Sequence, residues 1–119
     1  MSLKLTEKRL AAVYECLRAF APFCGWKLPP ADKVQFIVAK TRNYVAAHCK
    51  YAYTDHHIIE VSEKMVGHFD GLAVAMAHEM IHMHQKIRRT TTPNTEHNAE
   101  WHKMAKRICR RFGWDEKAF

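Results

Sequence analysis

The sequence predicts an α+β domain, because segments with helical periodicity flank a central stretch rich in β-forming side chains. Apolar residues recur every three or four positions near the start and again after residue 70, and three short β-type runs lie between. The chain has 119 residues, of which 48% are hydrophobic and 26% are charged. This composition excludes disordered and collagen-like classes, and the length predicts a single domain over residues 1–119.

The first helix is predicted from an amphipathic stripe made up of Leu10, Val13, Tyr14, Leu17 and Phe20. Thr6 is a suitable N-cap, because its hydroxyl can accept a hydrogen bond from the first turn. Pro22 and Gly25 are expected to end the helix.

Three strands are predicted at residues 34–38, 44–49 and 58–61, where β-branched and aromatic side chains are concentrated. The connecting segments, 40–43 and 50–55, are polar and short, which is typical of hairpin turns. We therefore expect a three-stranded antiparallel sheet.

Two further helices follow. The first is predicted to run from an Asp70 N-cap to about Arg88, and it is apolar on nearly every side, so it should pack on the sheet within the core. After a polar loop at 89–95, the last helix is expected from about Glu96 to Phe112, where Gly113 closes it.

The core helix carries the segment HEMIH at residues 78–82. Positions i and i+4 share one helix face, so His78 and His82 can direct two imidazoles at one tetrahedral zinc ion. Glu79 lies about 100° round the helix, where it can take a proton from a water molecule on the metal. This spacing is typical of the HExxH zinc peptidases. The metzincin subclass is excluded, because Gln85 and Arg88 stand where its glycine and third histidine belong.

A third ligand is expected from the start of the last helix, where Glu96, His97 and Glu100 are the candidates. His97 and Glu100 share one face with the apolar residues Trp101, Met104, Ala105 and Ile108. This face should point toward the core, which favours His97, with Glu100 and then Glu96 as alternatives. If Glu100 is not a ligand, it could accept a hydrogen bond from a ligand histidine.

HEMIH at 78–82 followed by HNAEW at 97–101 resembles the SprT-like metallopeptidases, a family that includes the Spartan proteases. The resemblance implies a zincin-like domain of the minigluzincin type, with an N-terminal helix, an antiparallel sheet, a core HExxH helix and a ligand-bearing C-terminal helix. Many members add a cysteine-rich zinc ribbon or a DNA-binding extension. Residues 113–119 contain neither, so we expect the catalytic domain only.

The family pattern also implies roles for individual residues. Glu79 would be the catalytic base, and Glu100 and Trp101 match the end of the second motif. One zinc ion per chain would be held by His78, His82 and His97.

The predicted function is a zinc-dependent metalloendopeptidase acting on a protein or peptide. One alternative is a binding module in which zinc is structural and a basic C-terminal surface holds nucleic acid or an acidic partner, without hydrolysis. Another is a zinc hydrolase of a non-peptide amide. Further candidates for contact with substrate or stabilisation of the oxyanion are Tyr44, Tyr51, Tyr53 and His68.

Positive charge is concentrated in the last third of the chain. The net charge is +7, and residues 84–119 contain nine Lys and Arg against four acids, compared with ten against eight before them. The last helix contributes five cations, Lys103, Lys106, Arg107, Arg110 and Arg111. They indicate either a solvated helix face or a patch for nucleic acid or an acidic protein.

His84 and His102 point away from the metal and are predicted to lie on the surface. Cys16, Cys24, Cys49 and Cys109 lack the close spacing of a zinc knuckle, so they are expected to be reduced and mostly buried. No stretch is apolar enough to span a membrane or to form the core of a signal peptide, which favours a cytoplasmic protein.

Overall fold

The computed structural model of the protein describes residues 5–39, 47–53, 56–63 and 69–119. Three helices and three strands make up the described fold, and the predicted α+β class is confirmed. In chain order the elements are α1 (Glu7–Arg18), β1 (Val34–Ala39), β2 (Ala47–Tyr53), β3 (His56–Ser62), α2 (Phe69–Arg88) and α3 (Ala99–Phe112). One-turn 3-10 helices lie at Phe23–Gly25, Ala31–Lys33 and Glu116–Ala118.

Helix α1 begins as predicted. The Thr6 hydroxyl accepts a hydrogen bond from the backbone N–H of Arg9 at 3.1 Å, which satisfies one of the free donors of the first turn. Four of the five stripe residues, Leu10, Val13, Tyr14 and Leu17, are buried. Phe20 lies beyond the end of the helix and is exposed, so its predicted place in the apolar stripe was wrong.

The sheet is mixed, and the predicted all-antiparallel arrangement is wrong. Strand β3 occupies the centre, pairing with β2 in the antiparallel direction and with β1 in the parallel direction. Ile59 and Val61 of β3 are completely buried, as expected for a strand that has neighbours on both sides. The polar segments between strands indicated turns, but they did not determine which neighbour each strand would join.

Strand boundaries also differ from the prediction. Strand β2 continues to Tyr53, through most of the predicted turn at 50–55, and β3 begins at His56. Tyr51 and Tyr53 have high β-propensity, which accounts for the extension of the strand. The other predicted turn, at 40–43, lies outside the described residues.

Helix α2 is the central element of the core. It contacts α1, α3, β2 and β3, and Met76, Met80, Ile81 and Met83 are completely buried. Each such side chain contributes on the order of 1.5–3 kcal/mol through removal of apolar surface from water. The helix ends at Arg88 as predicted but begins at Phe69, so Asp70 lies inside it and is not the N-cap. Within the described residues, no helix combines the length and hydropathy needed to cross a lipid bilayer.

The thiols are less buried than expected. Cys109 is buried in α3, whereas Cys16 and Cys24 are exposed. Cys16 lies on the solvent side of α1, opposite the stripe that packs on the core. All three are free thiols, and the side chain of Cys49 lies outside the described residues.

Candidate metal centre

Two histidines of α2 lie side by side on one face of the helix. The ring centroids of His78 and His82 are 5.0 Å apart, and both side chains are half-buried. One turn of helix separates them, so the spacing follows directly from the i, i+4 positions in the sequence.

His97 reaches the same point from the segment that precedes α3. Its ring centroid is 4.9 Å from that of His78 and 5.1 Å from that of His82. The sequence predicted His97 within the first helical turn, but α3 begins at Ala99 with Asn98 as its N-cap, so His97 lies just before the helix. Asparagine is a strong N-cap, because its side-chain oxygen accepts a hydrogen bond from the first turn.

The Asn98 side chain fixes this position through several hydrogen bonds. Its Oδ1 accepts from the backbone N–H of Trp101 at 3.0 Å and from Nε2 of Gln85 at 2.8 Å. Its Nδ2 donates to the carbonyl of Thr90 at 3.0 Å and to the hydroxyl of Thr92 at 3.0 Å. Asn98 therefore ties the start of α3 to α2 and to the intervening loop. Sequence reasoning missed this role, although an asparagine before an apolar helical stripe was a usable signal.

The three imidazoles form a nearly equilateral cluster. Their ligand nitrogens all lie within 4.8 Å of one another, and Nε2 of His97 is 3.2 Å from Nε2 of His78. Two nitrogens bound to one tetrahedral zinc ion at about 2.0–2.1 Å would lie about 3.3 Å apart. The donor set and this spacing therefore fit zinc. Among the described residues, no other three His, Cys, Asp or Glu side chains converge in this way.

Burial keeps the rings of His78 and His82 neutral. It lowers the pKa of His78 from 6.5 to about 4, with a smaller contribution to this shift from the nearby His97. It lowers the pKa of His82 to about 3, with smaller contributions from the two other imidazoles. Since a metal ion binds the unprotonated nitrogen, His78 and His82 are in their ligand form at neutral pH.

Comparison with known proteins agrees with this arrangement. A model of the SprT-like family matches residues 13–117. The chain belongs to the SprT-like family. No curated protein and no solved structure is significantly similar to it. The SprT-like family is associated with zinc metallopeptidase-like domains, which agrees with a cluster of three histidines that can hold a metal ion.

Glu79, the catalytic base in the predicted mechanism, follows His78 on α2 of this SprT-like domain. Its side chain is only 3% exposed. A buried carboxylate is shielded from bulk water. Its electrostatic interaction with nearby charges is therefore stronger than it would be at the surface.

Trp101 packs against all three histidines. Its ring is stacked on His97 at 4.0 Å, and it lies 4.7 Å from His78 and 5.6 Å from His82. The indole is 3% exposed, so it closes the core side of the cluster. The family motif indicated this residue, and the structure places it beside the cluster.

Phe119 adds a contact that sequence reasoning missed. Its ring lies 5.8 Å from His78 and 5.9 Å from Trp101, and its backbone forms a hydrogen bond with the His78 ring. Hydrogen bonds of this kind help to orient metal-binding imidazoles. No local signal in the sequence indicated this contact, because 41 positions separate the two residues.

Glu100 lies outside the histidine cluster. Its Oε1 accepts a hydrogen bond from Nε2 of Gln85 at 3.0 Å, and its Oε2 lies 3.9 Å from Nη1 of Arg88. The nearby Thr90 hydroxyl and the hydrogen bond from Gln85 lower the pKa of this carboxyl. Glu100 therefore links α3 to α2, and neither Glu100 nor Glu96 belongs to the set of converging ligand atoms.

The remaining candidates are only partly described. Tyr44 and His68 lie outside the described residues, as do the side chains of Tyr51 and Tyr53. His102 is exposed as predicted, but His84 is 5% exposed, so its predicted surface position is wrong. Trp26, from the segment after α1, covers the ring of His84.

Proposed function

We propose that this SprT-like domain is a zinc-dependent metalloendopeptidase that binds one zinc ion through His78, His82 and His97. The observation that carries the proposal is the convergence of three imidazoles from two segments, with ligand nitrogens within 4.8 Å of one another. The buried Glu79 directly follows one of these histidines on α2. Three protein ligands are typical of catalytic zinc sites, which keep a fourth position open.

Glu79 acts as the general base and then as the general acid. It accepts a proton from the attacking water molecule and returns it to the amide nitrogen as the peptide bond breaks. When bound, zinc supplies a Lewis acid that polarises the peptide carbonyl and lowers the pKa of water. Trp101 packs on the imidazole of His97, and Phe119, the last residue of the sequence, packs on that of His78. These contacts help to hold the imidazoles in place.

An extended substrate is expected to pair with β2. This strand is an edge of the sheet, since β3 occupies the centre, and it packs against the helix that carries His78 and Glu79. An exposed strand edge offers backbone donors and acceptors to a peptide.

The test compares metal content with hydrolysis in matched variants. Glu79→Gln should retain about one zinc per chain and lose cleavage of casein by at least about a hundredfold, as expected for loss of a general base. His97→Ala should lose both zinc and activity. Glu96→Gln removes an exposed carboxylate beside His97 and should retain both. Absence of zinc from the intact protein, or full activity in Glu79→Gln, would overturn the proposal.

The second candidate function is a binding module that does not hydrolyse its partner. The cations of α3 favour it, because Lys103, Lys106, Arg107, Arg110 and Arg111 are all exposed. Nucleic-acid or acidic-protein binding that persists in Glu79→Gln, with no chelator-sensitive cleavage by the wild type, would support this function instead of a peptidase.

A further inference from the structure

A groove of about 780 Å³ lies on another side of the α2–α3 pair. Its walls come from the segment at 25–27, the end of α2 and the outer face of α3. His78, His82 and His97 do not line it. The groove is therefore distinct from the candidate metal centre, and its volume is within the range of ligand-binding pockets.

The walls of the groove are strongly basic. The cations that line it are Lys27, Arg88, Lys103, Lys106, Arg107 and Arg110. Glu100 is the one acidic residue in the lining, and its carboxylate is engaged by Gln85 and Arg88. These cations come from three separate segments of the chain. The positive charge of the groove is therefore not explained by the exposed face of α3 alone.

The floor of the groove is apolar and held in place. The Trp26 ring is stacked on His84 with centroids 4.2 Å apart and packs edge-on against Phe23 at 5.1 Å. Ile87 is 40% exposed, and Met104 also lines the groove. Apolar surface flanked by charge is suited to a ligand that has both acidic and aliphatic groups.

These features distinguish between two kinds of acidic ligand. A single-stranded nucleic acid needs open aromatic faces on which bases can stack. One face of Trp26 is already covered by His84, so that face cannot stack on a base. Aliphatic side chains of a peptide can pack on Ile87 and Met104 without such a platform. The structure therefore favours a peptide.

We propose that this groove binds an acidic peptide segment of a partner protein. Carboxylates of the segment pair with the cations of the walls, and its aliphatic side chains pack on Trp26, Ile87 and Met104. Binding in this groove does not require hydrolysis. The bound segment belongs to a substrate or to an adaptor protein, and its contacts are separate from those at the candidate metal centre.

The experiment measures binding of a short labelled peptide of Glu and Leu residues to the Glu79→Gln protein by fluorescence anisotropy. That variant prevents cleavage, so the result does not depend on the proposed peptidase activity. At about 0.15 M salt the Debye length is about 8 Å, which limits effects of distant charge. The same peptide with every Glu replaced by Gln should bind at least about tenfold more weakly.

Two matched pairs of additional substitutions locate the site. Arg107→Glu in the groove should weaken binding roughly tenfold, whereas Arg111→Glu, on the same helix but outside the groove, should change it less than about twofold. Ile87→Gln should weaken binding about fivefold, whereas Phe20→Gln, at an exposed apolar residue outside the groove, should have no effect.

Three outcomes would overturn the proposal. The first is no binding of the acidic peptide. The second is an equal effect of Arg107→Glu and Arg111→Glu, which would indicate diffuse charge attraction. The third is tighter binding of a single-stranded oligonucleotide with no effect of Ile87→Gln, which would assign the surface to nucleic acid.

Discussion

Asn98 supports the histidine cluster without contributing a ligand. Its side chain caps α3, bonds to Gln85 of α2 and holds the loop at Thr90. Because His97 is the residue immediately before this cap, the direction of its imidazole depends on the same hydrogen bonds. The geometry of the candidate metal centre therefore depends partly on Asn98, which is not itself a ligand.

We expect Asn98→Ala to lower the free energy of unfolding by about 1–2 kcal/mol, because it removes an N-cap. It should also weaken zinc binding at least about tenfold, as loss of a supporting hydrogen-bond partner commonly does. Chemical denaturation and competition with a zinc chelator measure the two effects. Asn98→Asp retains the cap acceptor and should lose less stability, so equal losses in both variants would contradict the capping role.

Trp101 serves both packing and the orientation of the imidazoles. Trp101→Ala should lower the free energy of unfolding by about 3–5 kcal/mol, since it leaves a cavity, and should weaken zinc affinity in the folded protein. Trp26→Ala also removes an indole, but the ring contacts of Trp26 are with Phe23 and His84 and not with the histidines of the cluster. It should leave zinc affinity unchanged. Equal zinc affinities in the two variants would show that Trp101 has only a packing role.

At the scale of elements, α1 is tied to the turn before the sheet through one carboxylate. Glu15 accepts a hydrogen bond from Nη2 of Arg18 at 2.9 Å and from the backbone N–H of Ala31 at 2.7 Å. The hydrogen bond from Arg18 lowers the pKa of Glu15 below 4.5. Glu15 thus connects the helix to the Ala31–Lys33 turn, which leads directly into β1.

This contact should depend on pH. Since its pKa is lowered in the folded state, Glu15 stabilises the protein fully at a pH above its ordinary pKa of 4.5, and this contribution is lost as the pH falls through the lower pKa of the folded state. The unfolding free energy of wild type should therefore fall more steeply over this range than that of Glu15→Gln. Urea denaturation at several pH values measures the slopes, and Arg18→Gln should reduce the slope as well. Parallel curves for wild type and Glu15→Gln would contradict this account.

The elements were predictable to different degrees. The capped start of α1, the end of α2 and the proximity of His78 to His82 follow from local periodicity, which a helix expresses within a few residues. The parallel pairing of β1 with β3 was not predictable in this way. It depends on which strand becomes central in the sheet, where Ile59 and Val61 of β3 are completely buried in the shared core.

For the whole molecule, the metal centre connects α2 to the segment before α3, so zinc binding should stabilise the tertiary structure. A ligand that binds only the folded state stabilises it by about 2.7 kcal/mol at a concentration of a hundred times its Kd. Removal of zinc with a chelator should therefore lower the Tm by several degrees. Calorimetry measures the shift, which Glu79→Gln should retain and His97→Ala should abolish. A Tm insensitive to chelator would contradict a metal bridge between these segments.

The sequence by itself determined the α+β class, the family and the residue types of the candidate metal centre, because these depend on local periodicity and motif spacing. Tertiary structure alone decided the central position of β3, the burial of His84 under Trp26, the contact of Phe119 with His78 and the basic groove. Each of these brings together segments that are distant in the chain. Their arrangement depends on which apolar surfaces pack best in three dimensions, and no short stretch of sequence contains that information.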